Sequence, residues 1–150
     1  MGGVYPGRAI PVVYPVTASK SDLDYEGLVL KKNSSANTLE LISAKGDTAV
    51  AVLDQAFVDG VQAGKTTVAG DQPGVFFLGT GDIVKVACIT GITWTTGAIV
   101  YLADSVDGAV TTAASTSRPI GHYVGEGTTT TANYDQIEVL LDVAIGAATA

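Results

Sequence analysis

Charge is what this chain has least of. Lys, Arg, Asp and Glu make up 15% of its 150 residues, against about 25% in an ordinary soluble domain. A lone globule normally covers itself with charge. A surface of Thr, Ser, Ala and Gly instead points to one that a partner partly covers. The charge that is present is acidic, with a formal net of −7. The eight basic residues are scattered, and Lys31-Lys32 is their only adjacent pair. Nucleic-acid binders cluster their basic residues to displace counterions, so a nucleic-acid role is excluded, and an anionic membrane surface is disfavoured for the same reason.

Groups that carry chemistry are equally scarce. The single cysteine, Cys88, has no internal disulfide partner and lies in the apolar run Ile83 to Ile89, as a buried structural thiol does. One His and one Cys do not make a zinc site of ordinary composition. His122, the sole histidine, sits in the strand-like Pro119 to Gly125 and reads as a structural residue rather than a general base. No G-x-S-x-G elbow surrounds a serine, and Gly79-Thr80-Gly81 lacks the later glycine, lysine and helix of a phosphate loop. Asp104-Ser105-Val106-Asp107-Gly108 offers two carboxylates without the further ligands of a calcium loop, so a glycine-closed turn is expected there. Asp22, Asp24 and Glu26 read as solvated linker. No run approaches the roughly 20 apolar residues that span a bilayer. The opening Met1 to Pro6 has neither the basic start nor the apolar stretch of a secretory signal, and Pro6 stands where a myristoylation signal needs Ser or Thr. The expectation is no enzyme, no metal, no cofactor and no membrane span.

What remains is β-strand pattern. Short apolar runs recur about every ten residues, cut by Gly-rich turns: 27–32, 38–42, 48–53, 65–69, 74–78, 83–89, 98–102, 109–112, 120–124 and 136–143. Such spacing predicts an all-β fold, a small β-barrel or a β-sandwich. A turn or two of helix is expected only near 54–61. Gly-Asp recurs as a turn device at Gly46-Asp47, Gly70-Asp71 and Gly81-Asp82. That recurrence makes Lys45-Gly46-Asp47 a turn rather than an adhesion tripeptide. Shifting the chain by 70 residues lays Gly27-Leu28-Val29-Leu30 on Gly97-Ala98-Ile99-Val100, and Val50-Ala51-Val52 on Ile120-Gly121-His122. The echo suits a fold built from similar hairpin units.

The first residues behave differently. Pro6, Pro11 and Pro15 remove backbone donors and push their neighbours toward extended geometry. Residues 1–24 therefore read as an extended, Pro-containing N-terminal arm, followed by a single barrel or sandwich domain over 25–150. The arm suits either an edge strand of its own protein or a contact between subunits, with Pro6, Ile10, Val12, Val13 and Tyr14 as candidate assembly anchors. Trp94, in a Thr-rich stretch, is either a core residue or an anchor for a partner or sugar. Thr128 to Thr131 read as a solvated loop.

Gly97, Val100-Tyr101, Asp107-Gly108, Val110-Thr111-Thr112, Ile120-Gly121 and Ile137 to Leu141 together resemble the C-terminal pattern of phage head decoration, or capsid cement, proteins. Thr48 to Asp54 is similar to a strand in their first half. The resemblance covers about half the chain, and the N-terminal stretch departs from the family's usual opening. It implies a small barrel that binds the outer surface of the virion capsid, partners the major capsid protein, and forms homo-oligomers, trimers foremost. Two other readings stand beside it: a carbohydrate- or receptor-binding β module built around Trp94, and an enzyme using His122 or an acidic turn.

Overall fold

Alternation of apolar and polar residues commits these runs to strands, and backbone pairing then sorts the strands into sheets. The computed structural model describes residues 12–13, 27–34, 37–44, 46–54, 74–114 and 118–142. Its strands are β1 (Val12–Val13), β2 (Val29–Lys32), β3 (Leu39–Leu41), β4 (Ala51–Asp54), β5 (Gly74–Phe77) and β6 (Ile83–Cys88). They continue as β7 (Thr93–Trp94), β8 (Ile99–Leu102), β9 (Val110–Thr111), β10 (Pro119–Tyr123), β11 (Thr128–Thr129) and β12 (Asp135–Leu141). The fold is all-β, and a closed five-stranded barrel decides the barrel-or-sandwich alternative. The expected helical turn at 54–61 lies outside the described residues apart from Asp54, which ends β4.

Two sheets carry the architecture. The first is open, ordered β1-β5-β4-β2-β3, and the second is a barrel in which β6, β12, β10, β8 and β9 follow one another and β9 returns to β6. That closure is the one parallel pairing described, Cys88 against Val110, with Ile89 N–H donating to Val110 O at 3.1 Å. A two-stranded ribbon of β7 and β11 completes the set.

The 70-residue echo is a repeat of backbone geometry. Gly27 and Gly97 both hold positive φ, +83° and +90°, a conformation that costs other residues strain. Gly27 N–H donates to Leu53 O and Leu53 N–H to Leu28 O; Gly97 N–H donates to Tyr123 O and Tyr123 N–H to Ala98 O, all at 2.8 Å. The register Val29–Val52 and Leu30–Ala51 returns as Ile99–His122 and Val100–Gly121. Both sheets run in the same order, with β1 to β5 matched by β6, β8, β9, β10 and β12. Each unit places its first strand beside its last.

The matched strands fill two adjoining cores. Val84, Val86, Cys88, Val100, Leu102, Val110, Tyr123, Ile137, Val139 and Leu141 are buried together in the barrel, joined by Val29, Ile42 and Val52 of the first unit. Leu28, Leu30, Leu39, Leu41, Ala51, Leu53 and Val75 form the second cluster with Ala87. At the seam, Ala87 N–H donates to Gly27 O and Val29 N–H to Gly108 O, at 2.8 and 2.7 Å. A methyl group on Gly27 would lie 2.7 Å from Ala87 N, so this glycine is required by close approach as well as by its φ.

Candidate functional site

Side chains alternate between the two faces of the barrel wall, and along β6 and β12 the outward ones clear of the first unit are exposed or half-buried. Ile83 pairs with Leu140, Leu140 with His122 and His122 with Ile99. These four side chains therefore form one row across β6, β12, β10 and β8 on the outer wall. At about 4.8 Å between strands the row spans about 14 Å. Ile83 and Ile99 are 47% and 41% exposed, among the few large hydrophobic residues so exposed in the described chain; Leu140 and His122 are half-buried. The adjoining row sets exposed Lys85 against exposed Glu138. Aliphatic groups here sit beside one charge of each sign, which suits burial against another surface. His122 has Leu140 and Ile99 as its partners in register, and neither has a proton to exchange. Outward strand positions were readable from alternation. The row itself needs the cross-strand register.

Trp94 was a candidate anchor, and its position corrects that reading. It is fully buried, and its ring lies 5.5 Å from Tyr123, tilted by 45°. An indole inside the core presents no face to a sugar or a partner. Among the described residues its Nε1–H meets no nitrogen or oxygen acceptor, and the weak acceptor beside it is the Cys88 sulfur. Cys88 is buried beside it, and burial pushes the thiol up in pKa, against the weaker opposing influence of Thr130 and Trp94. Tyr123 is raised by burial first, then by Glu138 and Glu126, and its hydroxyl donates to Glu126 O.

The threonine run is also corrected. Thr128 and Thr129 form β11, paired with Trp94 and Thr93. Thr130 is buried, donates to Ile89 O at 2.8 Å and accepts from Ile92 N–H at 3.0 Å. Its hydroxyl satisfies backbone groups that the short β7 and β11 leave over.

The acidic turns serve the fold. Gly108 closes the 104–108 turn with φ +76°. Among the described residues, no three His, Cys, Asp or Glu side chains gather as a metal site would require. Asp47 Oδ2 accepts from Ser43 and Ala44 N–H, each at 3.0 Å, and from Lys31 Nζ at 2.9 Å. Burial alone would raise Asp47, but Lys31 and the two backbone donors outweigh it and hold the carboxyl below its ordinary 3.8. The hydrogen bond to Asp47 is likewise the main cause raising Lys31. A carboxyl with a depressed folded pKa contributes stability that is complete above the unfolded value and is lost as pH falls through the folded one. Asp47→Asn is therefore expected to cost about 1 kcal/mol at neutral pH. The difference from wild type should shrink below pH 3.8, as chemical denaturation across pH would show. A constant gap would remove Asp47 as the titrating group.

Of the remaining candidate anchors, Val12 and Val13 form β1, whose backbone pairs with Val75 and Gly74 at the sheet edge. Pro6, Ile10 and Tyr14 lie outside the described residues. Compared with known proteins, the chain matches no family model and no curated protein.

Proposed function

We propose that this protein is a virion structural component that decorates the outer surface of a capsid and stabilises the shell by non-covalent contact. The observation that carries the reading is the outer row on the barrel wall, with Ile83 and Ile99 exposed at its two ends, in a chain with few charges to keep it apart from partners. Cement proteins work through contacts repeated over many copies, and such contacts need apolar area and free backbone edges rather than reactive groups. The resemblance of the second half to decoration proteins supplies the capsid as partner and the homotrimer as the form of assembly.

Quantitative mass spectrometry of purified particles tests this directly. A copy number comparable to that of the major shell protein is the expected result, and absence from particles would overturn the proposal. The arm gives a second test. Deleting Met1 to Thr17 removes β1, but none of the five barrel strands, so the barrel should stay folded by circular dichroism. Capsid affinity should fall on the order of tenfold, the effect of losing a few good interface contacts. A deletion variant that saturates capsids at wild-type affinity would reject the role given to the arm.

A further inference from the structure

An aspartate followed by glycine can rearrange its own backbone, because glycine puts no side chain in the way. The glycine amide nitrogen attacks the aspartate carboxyl carbon, Cγ. The nitrogen gives up its proton, a carboxyl oxygen leaves as water, and a five-membered imide forms. Water then opens the imide at either carbonyl. Opening at the main-chain carbonyl leaves the chain running through the aspartate side chain, with the mass unchanged and the main chain one carbon longer. This chain holds two such pairs, each preceded by valine: Val58-Asp59-Gly60 and Val106-Asp107-Gly108. The first lies outside the described residues, and the second stands in the turn between β8 and β9.

At the second pair the attacking nitrogen is occupied. Gly108 N–H donates to Ile42 O at 2.8 Å, and Gly108 O accepts from Val29 N–H at 2.7 Å. One peptide later, Ala109 N–H donates to Val106 O at 3.2 Å. Gly108, Ile42 and Val29 are all buried. The nitrogen is free to lose its proton and turn onto Asp107 Cγ only after the bond to Ile42 breaks, and that bond belongs to the seam between the two units. The same opening exposes a buried amide to hydrogen exchange. Nor does the fold accept a safer residue here. Gly108 holds φ +76°, and a Cβ on it would lie 2.7 Å from Leu41 Cδ2 and 3.1 Å from Leu28 Cδ2. The seam needs the residue that permits the rearrangement and restrains it with a hydrogen bond.

We propose that Asp107 is a site of spontaneous aspartate isomerisation, gated by opening of the seam at Gly108. The gate is the Gly108–Ile42 hydrogen bond, so the rate of the chemistry follows how often the two units part at this point. The product is a lesion. Its extra main-chain carbon displaces Gly108 from Ile42 and Val29, and a seam once rearranged does not close as before. The proposal concerns the chain itself and stands or falls apart from the capsid role above.

Peptide mapping of the full chain, incubated for weeks at neutral pH either folded or in guanidinium, tests the proposal. The isomer appears as a second peptide of equal mass. In the denatured chain Asp59 and Asp107 should isomerise at similar rates, since each sits in Val-Asp-Gly. In the folded protein Asp107 should be slower by about a hundredfold or more, and the Gly108 amide should be protected from hydrogen exchange by a comparable factor. Guanidinium well below the unfolding midpoint should raise both rates together. Asp107→Glu, whose imide would need a six-membered ring, should give no isomer at this position and leave the thermal melt near wild type. An Asp107 that isomerises as fast folded as denatured would overturn the proposal, because the seam would then be no gate. So would slow isomerisation beside a Gly108 amide that exchanges freely, or a denatured chain that gives no isomer at Asp107.

Discussion

Gly121→Ala is expected to destabilise the barrel by about 3 kcal/mol, lowering the melting temperature by roughly 10 °C. A Cβ at this position would collide with the carbonyl oxygen of Leu140 and press on Leu141 Cα, 3.0 Å away. Both obstacles are backbone of β12, the strand paired with β10 at this point. A side chain swings aside at small cost, whereas a paired strand moves only by breaking its ladder. The matching position in the first unit is Ala51, whose methyl fits among Leu28, Leu30 and Leu53, so the restriction belongs to the closed barrel and not to the repeat. Gly46→Ala is the control, since a Cβ there meets nothing within 4 Å; it should change stability by less than about 0.5 kcal/mol. Urea denaturation of the two variants measures the contrast. A Gly121→Ala protein within about 1 kcal/mol of wild type would mean that β10 and β12 part easily, and that closure is loose at that site.

Truncating the one tryptophan should cost still more. Trp94→Ala removes the largest fully buried side chain, along with its contact on Tyr123, and is expected to cost about 3–5 kcal/mol. Trp94→Phe sets two effects against each other. The smaller ring leaves part of the site unfilled. It also removes a buried N–H that among the described residues has only the weak Cys88 sulfur beside it, and a poorly satisfied buried donor costs about 1–3 kcal/mol. The terms are comparable, so Trp94→Phe should lie within about 1 kcal/mol of wild type. The same denaturation curves read both variants. A phenylalanine variant as damaged as the alanine one would show that Nε1–H has a partner in solution. Because the indole is enclosed, its fluorescence should respond to unfolding and not to added glycans.

Much of this fold is legible in the sequence. Period-two alternation marked most of the strands, and Gly27 and Gly97 already announced the repeat as glycines 70 apart at strand entrances. What stayed hidden depends on pairing between distant residues. Nothing local to Cys88 or Val110 says that β6 and β9 close the barrel. Thr130 looks like its solvated neighbours until β7 and β11 come together around it. Trp94 carried two readings of similar weight because indoles serve cores and interfaces alike, and only the position of Tyr123 decides between them. The outer row was invisible for the same reason, since Ile83, Leu140, His122 and Ile99 become neighbours through register alone.

The place of β6 between β12 and β9 has a consequence for synthesis. A ribosome delivers β6 first among the barrel strands, yet its long antiparallel partner is the last described strand of the chain. Until residues 135–141 emerge, β6 and β10 each wait with an unpaired edge. The first unit waits in the same way, β1 for β5, but its last strand is made before any barrel strand. Folding should thus proceed in two stages, with the sheet ahead of the barrel, and with the second stage unable to finish during translation of the barrel itself. A nascent chain stalled or clipped before Asp135 would keep both edges open, and open strand edges template pairing with other chains. Such a fragment would be expected in inclusion bodies rather than in a half-built soluble form.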